Sequence, residues 1–334
     1  MTSFRIATFN LENLGGGRSA DISDRLPILR PQIQRLNADI LCLQEVNARR
    51  EAGSTARTLH ALDVLLEGSR YNEFHRAFTH QAGREDARDV HNLVVLSRFP
   101  IVSTQQLHND LISPLEVPLA PDVADDGSVT TVKWDRPLLH VVVELDDGRH
   151  LNIINLHLRS PGGSYIEGQK SGPFSWKSVP GWAEAFYLSS LKRSGQALEV
   201  RLLIDRIFDG TSDAMIVVAG DFNAEEPEVP LRILIASDED TGNGALAERS
   251  LIALERGIAH DRAFSTIHHG RPQLVDHILV SRALGGGFRS IEIHNEALGD
   301  ETVASRLVDQ PPESFHAPLV AAFSFDTFQI HSRN

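Results

Sequence analysis

Cysteine and lysine are both scarce in this sequence: among 334 residues there is one cysteine, Cys42, and four lysines, Lys133, Lys170, Lys177 and Lys192. A lone cysteine cannot close an internal disulfide, so a disulfide-stapled scaffold is excluded. Its setting in Asp39-Ile-Leu-Cys-Leu-Gln-Glu45 predicts a small buried hydrophobe. Positive charge is also short. Lys and Arg number 32 against 45 Asp and Glu, a net charge of −13, and a field of that sign repels phosphates. An anionic substrate would need a local device to overcome it, either a bound divalent cation or a cluster of arginines. No run approaches the roughly 18 uncharged apolar residues of a membrane helix, so no membrane span is expected. There is no Gly/Ser/Pro-rich linker, and no repeat with a period of about 20 to 50 residues. The opening Met1-Thr-Ser-Phe-Arg-Ile6 lacks a leader pattern, so a cytoplasmic location is expected.

With 41% hydrophobic residues the chain can bury a sizeable core. Apolar runs of strand type recur at Phe4–Phe9, Ile40–Leu43, Leu93–Leu96, Leu138–Leu145, Leu151–Leu158, Met215–Ala219, Leu274–Val280 and Leu319–Phe325. Helical patterns lie between some of them, at Leu26–Leu36, Leu59–Leu66, Trp182–Phe208 and Val229–Ile235. In the third, Leu191, Leu198, Leu202 and Leu203 share one face and Gly210 follows as a stop. Strands alternating with helices, together with adjacent strand runs, predict an α/β protein with mixed sheets. Residues 1–334 read as a single domain. Asn109–Arg136, with six acidic residues and three prolines, reads as a solvated excursion. Pro161–Ser194 reads differently. It holds Lys170, Lys177 and Lys192 with Trp176, Trp182, Tyr165, Phe174, Phe186 and Tyr187. These are either aromatics packed on the core or an inserted substrate rim where bases could stack.

Five apolar runs end in polar groups that a core would not choose: Phe9-Asn10-Leu11-Glu12, Leu43-Gln44-Glu45, Asn155-Leu156-His157, Gly220-Asp221-Phe222-Asn223 and Val275-Asp276-His277. A sixth group, Ser314-Phe315-His316-Ala317-Pro318, precedes the last strand. A carboxylate buried at a strand end is costly unless it is paired or holds a metal, and sites in open α/β sheets gather at strand ends. The pattern therefore predicts one shared site. Hard oxygen donors without a cysteine cluster point to Mg²⁺ or Mn²⁺. Histidines beside carboxylates supply acid and base groups near neutral pH.

The order of FNLEN, LQEV, LSRFP, NLHL, GDFNA, VDHILVS and SFHAP resembles the successive motifs of the endonuclease/exonuclease/phosphatase superfamily. The resemblance runs from about Ile6 to Phe323 and implies a four-layer α/β/β/α sandwich with two packed mixed β-sheets, of the DNase I-like kind. It implies Glu45 as the main metal-binding carboxylate, with Asn10 beside it and Glu12 contributing. Asp221 and Asn223 would position the attacking water and the phosphate, and could hold a second cation. His316, oriented by Asp276, would touch the scissile phosphate, and His157 would transfer a proton. Arg136 matches a phosphate-contacting arginine, with Arg159 and Asn155 as further phosphate candidates. One departure stands out. Phe315 occupies the place of an aspartate that usually precedes the last histidine, which puts a two-metal arrangement in doubt and makes Asp309 or Glu313 a potential substitute.

The function these residues imply is divalent-metal-dependent phosphodiester hydrolysis, with a nuclease as the leading reading. The alternatives are a phosphatase or lipid phosphodiesterase of the same superfamily, or an inactive member that binds a partner through the same groove. The expected partner is nucleic acid or another phosphodiester, and no protein partner is expected.

Overall fold

The computed structural model describes residues 2–16, 20–50, 53–124, 127–173, 175–303 and 312–325. Its principal strands, in chain order, are β1 (Thr2–Leu14), β2 (Ile40–Val46), β3 (His75–Phe78), β4 (Asn92–Ser97), β5 (Ile101–Leu107), β6 (Leu138–Glu144), β7 (His150–His157), β8 (Met215–Asp221), β9 (Leu251–Ala253), β10 (Asp276–Ser281), β11 (Phe288–Ile293) and β12 (Leu319–Phe325). The longer helices are α1 (Ile22–Leu36), α2 (His60–Leu66), α3 (Val179–Gly210) and α4 (Val229–Ile235).

The strands form two six-stranded sheets of order β11-β12-β1-β2-β4-β3 and β9-β10-β8-β7-β6-β5. Each sheet has one parallel pair at its centre, β1 with β2 and β7 with β8, flanked by antiparallel neighbours. Successive strand residues face opposite ways, which assigns every apolar residue to a layer. Phe4, Ile6, Ile40 and Cys42 from one sheet meet Leu151, Ile153, Val217, Ala219, Ile278 and Val280 from the other in a core between the sheets. Ala7, Phe9, Leu41 and Leu43 face α1 and α2 through Leu29, Ile33, Leu62 and Leu66. Ile154, Leu156, Ile216 and Val218 face α3 and α4 through Val200, Ile204, Leu231 and Leu234. The architecture is the α/β/β/α sandwich with two mixed sheets that the sequence implied. Cys42 is fully buried in it, and burial pushes its thiol up to about 12.

Two expectations need correction. The 109–136 excursion is not simply solvated: it contains a hairpin of Leu115–Pro118 with Val129–Val132, and Val123, Val132 and Trp134 are buried against Ile166, Ala185 and Leu188. The Trp134 indole N–H donates to Glu199 Oε2 at 2.6 Å, and Gly195 leaves room for the ring. In α3, Leu198 and Leu202 are exposed rather than inward. The buried stripe is Ala185, Leu188, Ala197, Val200, Leu203, Ile204 and Phe208, because the helix packs against sheet and excursion in turn. No helix among the described residues is long and apolar enough to cross a membrane.

Candidate active site

The alternation that builds the core also builds the site. Continuing the inter-sheet positions of β1, β2, β7 and β8 towards their C-terminal ends reaches Asn10, Gln44, Asn155, His157 and Asp221, and the same face of β10 begins at Asp276. β10 runs antiparallel to β8, so its first residue lies beside the last of β8, Asp221 opposite Asp276. The start of β12 lies beside Thr8 for the same reason, which delivers His316 from the preceding loop. Parallel strands thus contribute their ends and antiparallel strands their beginnings to one cleft mouth.

Left-handed backbone conformations turn the chain there. Glu12, Asn13, Glu45, His91 and Asn223 have φ of 45°, 54°, 58°, 55° and 48°. Such positions cost non-glycine residues about 1–3 kcal/mol each and persist where the surroundings over-determine them. Gly220, at φ 150°, has no alternative: a Cβ there would lie 2.0 Å from the Leu156 carbonyl oxygen.

Asp221 is the centre of the polar network. The Asn10 side-chain amide donates to its Oδ2 at 3.0 Å, and Asn223 donates through its side chain to Oδ2 at 3.1 Å and through its backbone to Oδ1 at 2.8 Å. His157 Nε2 lies 3.2 Å from Oδ2. Burial, reinforced by Asp276 and Glu45, pushes this carboxyl up to about 7 against the pull of His316. Opposite it, His316 Nδ1 is 2.7 Å from Asp276 Oδ2, while its Nε2 stands 4.0 Å from Asp221 Oδ2, beyond hydrogen-bond reach. Burial works against the imidazolium, but the Asp276 and Asp221 charges outweigh it and raise His316 to about 10. His157 goes the other way: burial, with Arg136 and neighbouring histidines, holds it well below the usual range, so it is neutral.

Glu45 accepts the Asn13 backbone N–H at 2.9 Å and faces His157 Nε2 at 3.7 Å. Glu12, whose carboxyl burial raises, accepts the Phe315 backbone N–H at 2.7 Å and ties β1 to the loop carrying His316. Phe315 itself is buried. Asp309 lies outside the described residues, and Glu313 offers its backbone carbonyl to Arg25 at 3.5 Å. Arg136 feels the charges of Glu45 and Asp221, though burial lowers its pKa, and its enclosed Nη1 finds no hydrogen-bond partner among the described residues. Arg159 is paired with Asp135 at 3.2 Å, and Lys192 holds the other Asp135 oxygen at 2.7 Å.

Asn155 departs from expectation. It is fully buried, its amide nitrogen donates to the Leu43 and Val94 carbonyls, and its oxygen accepts from Gln44. With Thr8 and Gln44 it forms a polar floor joining the two sheets and is spent before any phosphate could reach it.

Three residues to which the sequence motifs assign no role help to build the site. Ser314 Oγ donates to the Asn10 carbonyl at 2.7 Å and accepts from the His316 backbone. Arg25 of α1, 1% exposed, donates to the carbonyls of Leu11, Glu12, Pro312 and Glu313. His91 precedes β4 and lies beside Glu45. The available signal for His91 was the one that flagged His316, a histidine just before an apolar strand.

The donors suit a hard divalent cation: the carboxylate oxygens of Glu45 and Asp221 and the Asn10 amide oxygen, with no thiolate near. Ligand atoms of Asp221, Asp276 and His316 also lie within 4.8 Å of one another. Asp276 Oδ1 is buried without a partner among the described residues.

Solved structures share the fold. An endonuclease/exonuclease/phosphatase from Beutenbergia cavernae superposes with TM-score 0.54 at 19% identity over 97% of this chain and 72% of its own. A family protein from Bacteroides thetaiotaomicron gives 0.56 at 17%, covering 100% and 99%. The human Nocturnin catalytic domain, solved with bound sulfate, gives 0.53 at 19%, covering 97% and 95%. No curated protein sequence matches significantly. Residues 7–298 match the family model described as Endonuclease/Exonuclease/phosphatase, and the chain belongs to that family of phosphate-ester hydrolases, whose enzymes are generally dependent on divalent metal.

Proposed function

We propose that the chain is a divalent-metal-dependent phosphodiester hydrolase, a nuclease, working by in-line attack of water with no covalent enzyme intermediate. The observation that carries this reading is the pairing of Asp221, a buried carboxylate fixed by two amides, with His316, an imidazolium whose Nε2 faces it without bonding it.

Asp221 accepts the proton of the attacking water, a task its raised pKa suits. Asn10 and Asn223 hold its oxygens so that the water is presented in one direction. His316 donates from Nε2 to a phosphate oxygen, with Asp276 accepting from Nδ1 and so fixing the orientation of the ring. Arg136, with an unspent Nη1, adds a second donor to the phosphate. Neutral His157, with Nε2 3.2 Å from Asp221 and 3.7 Å from Glu45, would take up the proton that Asp221 receives from the water and pass it to the leaving oxygen. Glu45 and Asn10 would hold Mg²⁺ or Mn²⁺, which when bound supplies Lewis-acid stabilisation of charge on the phosphate oxygens.

Substrate selection rests on the 161–194 segment, here read as an insertion into a single domain spanning 1–334. Trp176 is half-buried beneath Lys170, but Tyr165, Trp182, Phe186 and Tyr187 are exposed, with the Trp182 and Phe186 rings 5.8 Å apart. Phe174 lies outside the described residues. Exposed rings beside a few cations suit stacked bases of a single strand or nucleotide end. Net charge −13 disfavours grip on long duplex DNA. The test compares single-stranded DNA, duplex DNA, RNA, bis-p-nitrophenyl phosphate and phosphomonoesters under Mg²⁺ and Mn²⁺, with an EDTA control. Metal-dependent cleavage of single strands is expected. Turnover of monoesters alone would make the protein a phosphatase, and no metal-dependent release at all would leave only partner binding.

A further inference from the structure

His91 has no place in the roles just assigned, yet it is held against Glu45. β4 runs antiparallel to β2, with Val46 opposite Asn92, so the residue before β4 lands beside the end of β2. Its backbone N–H donates to Asn47 Oδ1 at 2.7 Å, and its φ of 55° turns the side chain into the cleft mouth. The side chain is 32% exposed, but its Nδ1 is enclosed, has no hydrogen-bond partner among the described residues, and stands 3.7 Å from Glu45 Oε2. That gap is too long for a hydrogen bond. It is close to the separation of two ligands sharing one ion at about 2.1 Å each. The other oxygen of Glu45 faces His157 Nε2, also at 3.7 Å, and the two imidazoles stand edge to face with centroids 6.4 Å apart. Arg136 and Arg88 oppose positive charge here, whereas Glu45 and Asp135 favour it.

We propose that His91 Nδ1 is a nitrogen ligand to the divalent ion held by Glu45, making this a mixed nitrogen and oxygen site that prefers first-row transition ions to Mg²⁺. Mg²⁺ takes oxygen ligands and keeps water, whereas imidazole belongs to transition-ion coordination. The proposal rests on the reading of Glu45 as a metal carboxylate, so its test must separate the two.

Mn²⁺ is the probe, read by electron paramagnetic resonance without any substrate. Wild-type protein is expected to bind Mn²⁺ and to show ¹⁴N modulation in pulsed spectra. His91→Gly and His91→Asn remove the imidazole while suiting the left-handed backbone, so both should fold. Both should lose the modulation attributable to His91 and bind Mn²⁺ about tenfold more weakly, with Mg²⁺ affinity, read by competition, changed less. His157→Gln should retain that modulation. Mn²⁺ bound with undiminished ¹⁴N modulation in both His91 variants would overturn the assignment of His91 alone. If wild type binds no Mn²⁺, or Glu45→Gln binds it as tightly as wild type, the metal reading of Glu45 falls and the His91 ligand with it.

Discussion

Asp221 and His316 hold protons more tightly than free side chains do, which gives the metal-free protein a particular pH dependence. Asp221 is raised from 3.8 to about 7, so unfolding releases its proton between those values and stability falls as pH rises through that window. His316 is raised from 6.5 to about 10, so the stability it contributes is complete below 6.5 and is lost as pH climbs through 10. Thermal melts in EDTA should therefore show a midpoint that declines from mildly acidic to alkaline pH, and His316→Gln should flatten the alkaline part. A wild-type midpoint that rises over that range would contradict the charge assignments. In turnover, Asp221→Ala and His316→Ala should each lose at least ~10²-fold with metal saturating; near-normal rates would remove both from the chemistry. The types of these residues were legible because a polar group ending an apolar strand stands out. Asn155 stood out equally and is structural, because polar residues at strand ends do not by themselves tell the cleft mouth from the floor beneath it.

Strands seen from sequence and strands missed divide along a physical line. The eight expected strands are all interior to their sheets. Of the twelve strands in the two large sheets, the four left out, His75–Phe78, Ile101–Leu107, Leu251–Ala253 and Phe288–Ile293, are the four sheet edges. An edge strand meets fewer apolar neighbours, and Ile-Val-Ser-Thr-Gln-Gln-Leu, mostly exposed, carries no apolar alternation to read. Helix α1 shows the reverse case, an element found but its chief residue overlooked. Arg25 looks like a surface arginine in sequence, yet it joins β1 to the loop before His316 through four carbonyls. Arg25→Met should leave buried carbonyls unpaired, at ~1–3 kcal/mol apiece. Denaturant unfolding should show a loss on the order of 3 kcal/mol, and activity in the folded fraction should drop as His316 loses its register. A variant as stable as wild type would mean that these carbonyls find other donors.

At the scale of the molecule, negative charge sets how a polyanion is met. Arg159 and Lys192 are already paired with Asp135, so few cations near the site remain to release counterions from nucleic acid. If the proposed nuclease reading holds, the KM for an oligonucleotide should accordingly depend weakly on salt, with a log–log slope below about 2; a slope several times steeper would reveal a basic track elsewhere. What the sequence determined alone was the layering, through alternation of apolar residues, and the residue types of the site, through polar groups where burial forbids them. The tertiary structure decided which of those groups meet. Parallel pairs bring two strand ends together and antiparallel neighbours bring beginnings to the same place, so His91 and Arg25 join Glu45 and His316 across distances in the chain that no local pattern encodes.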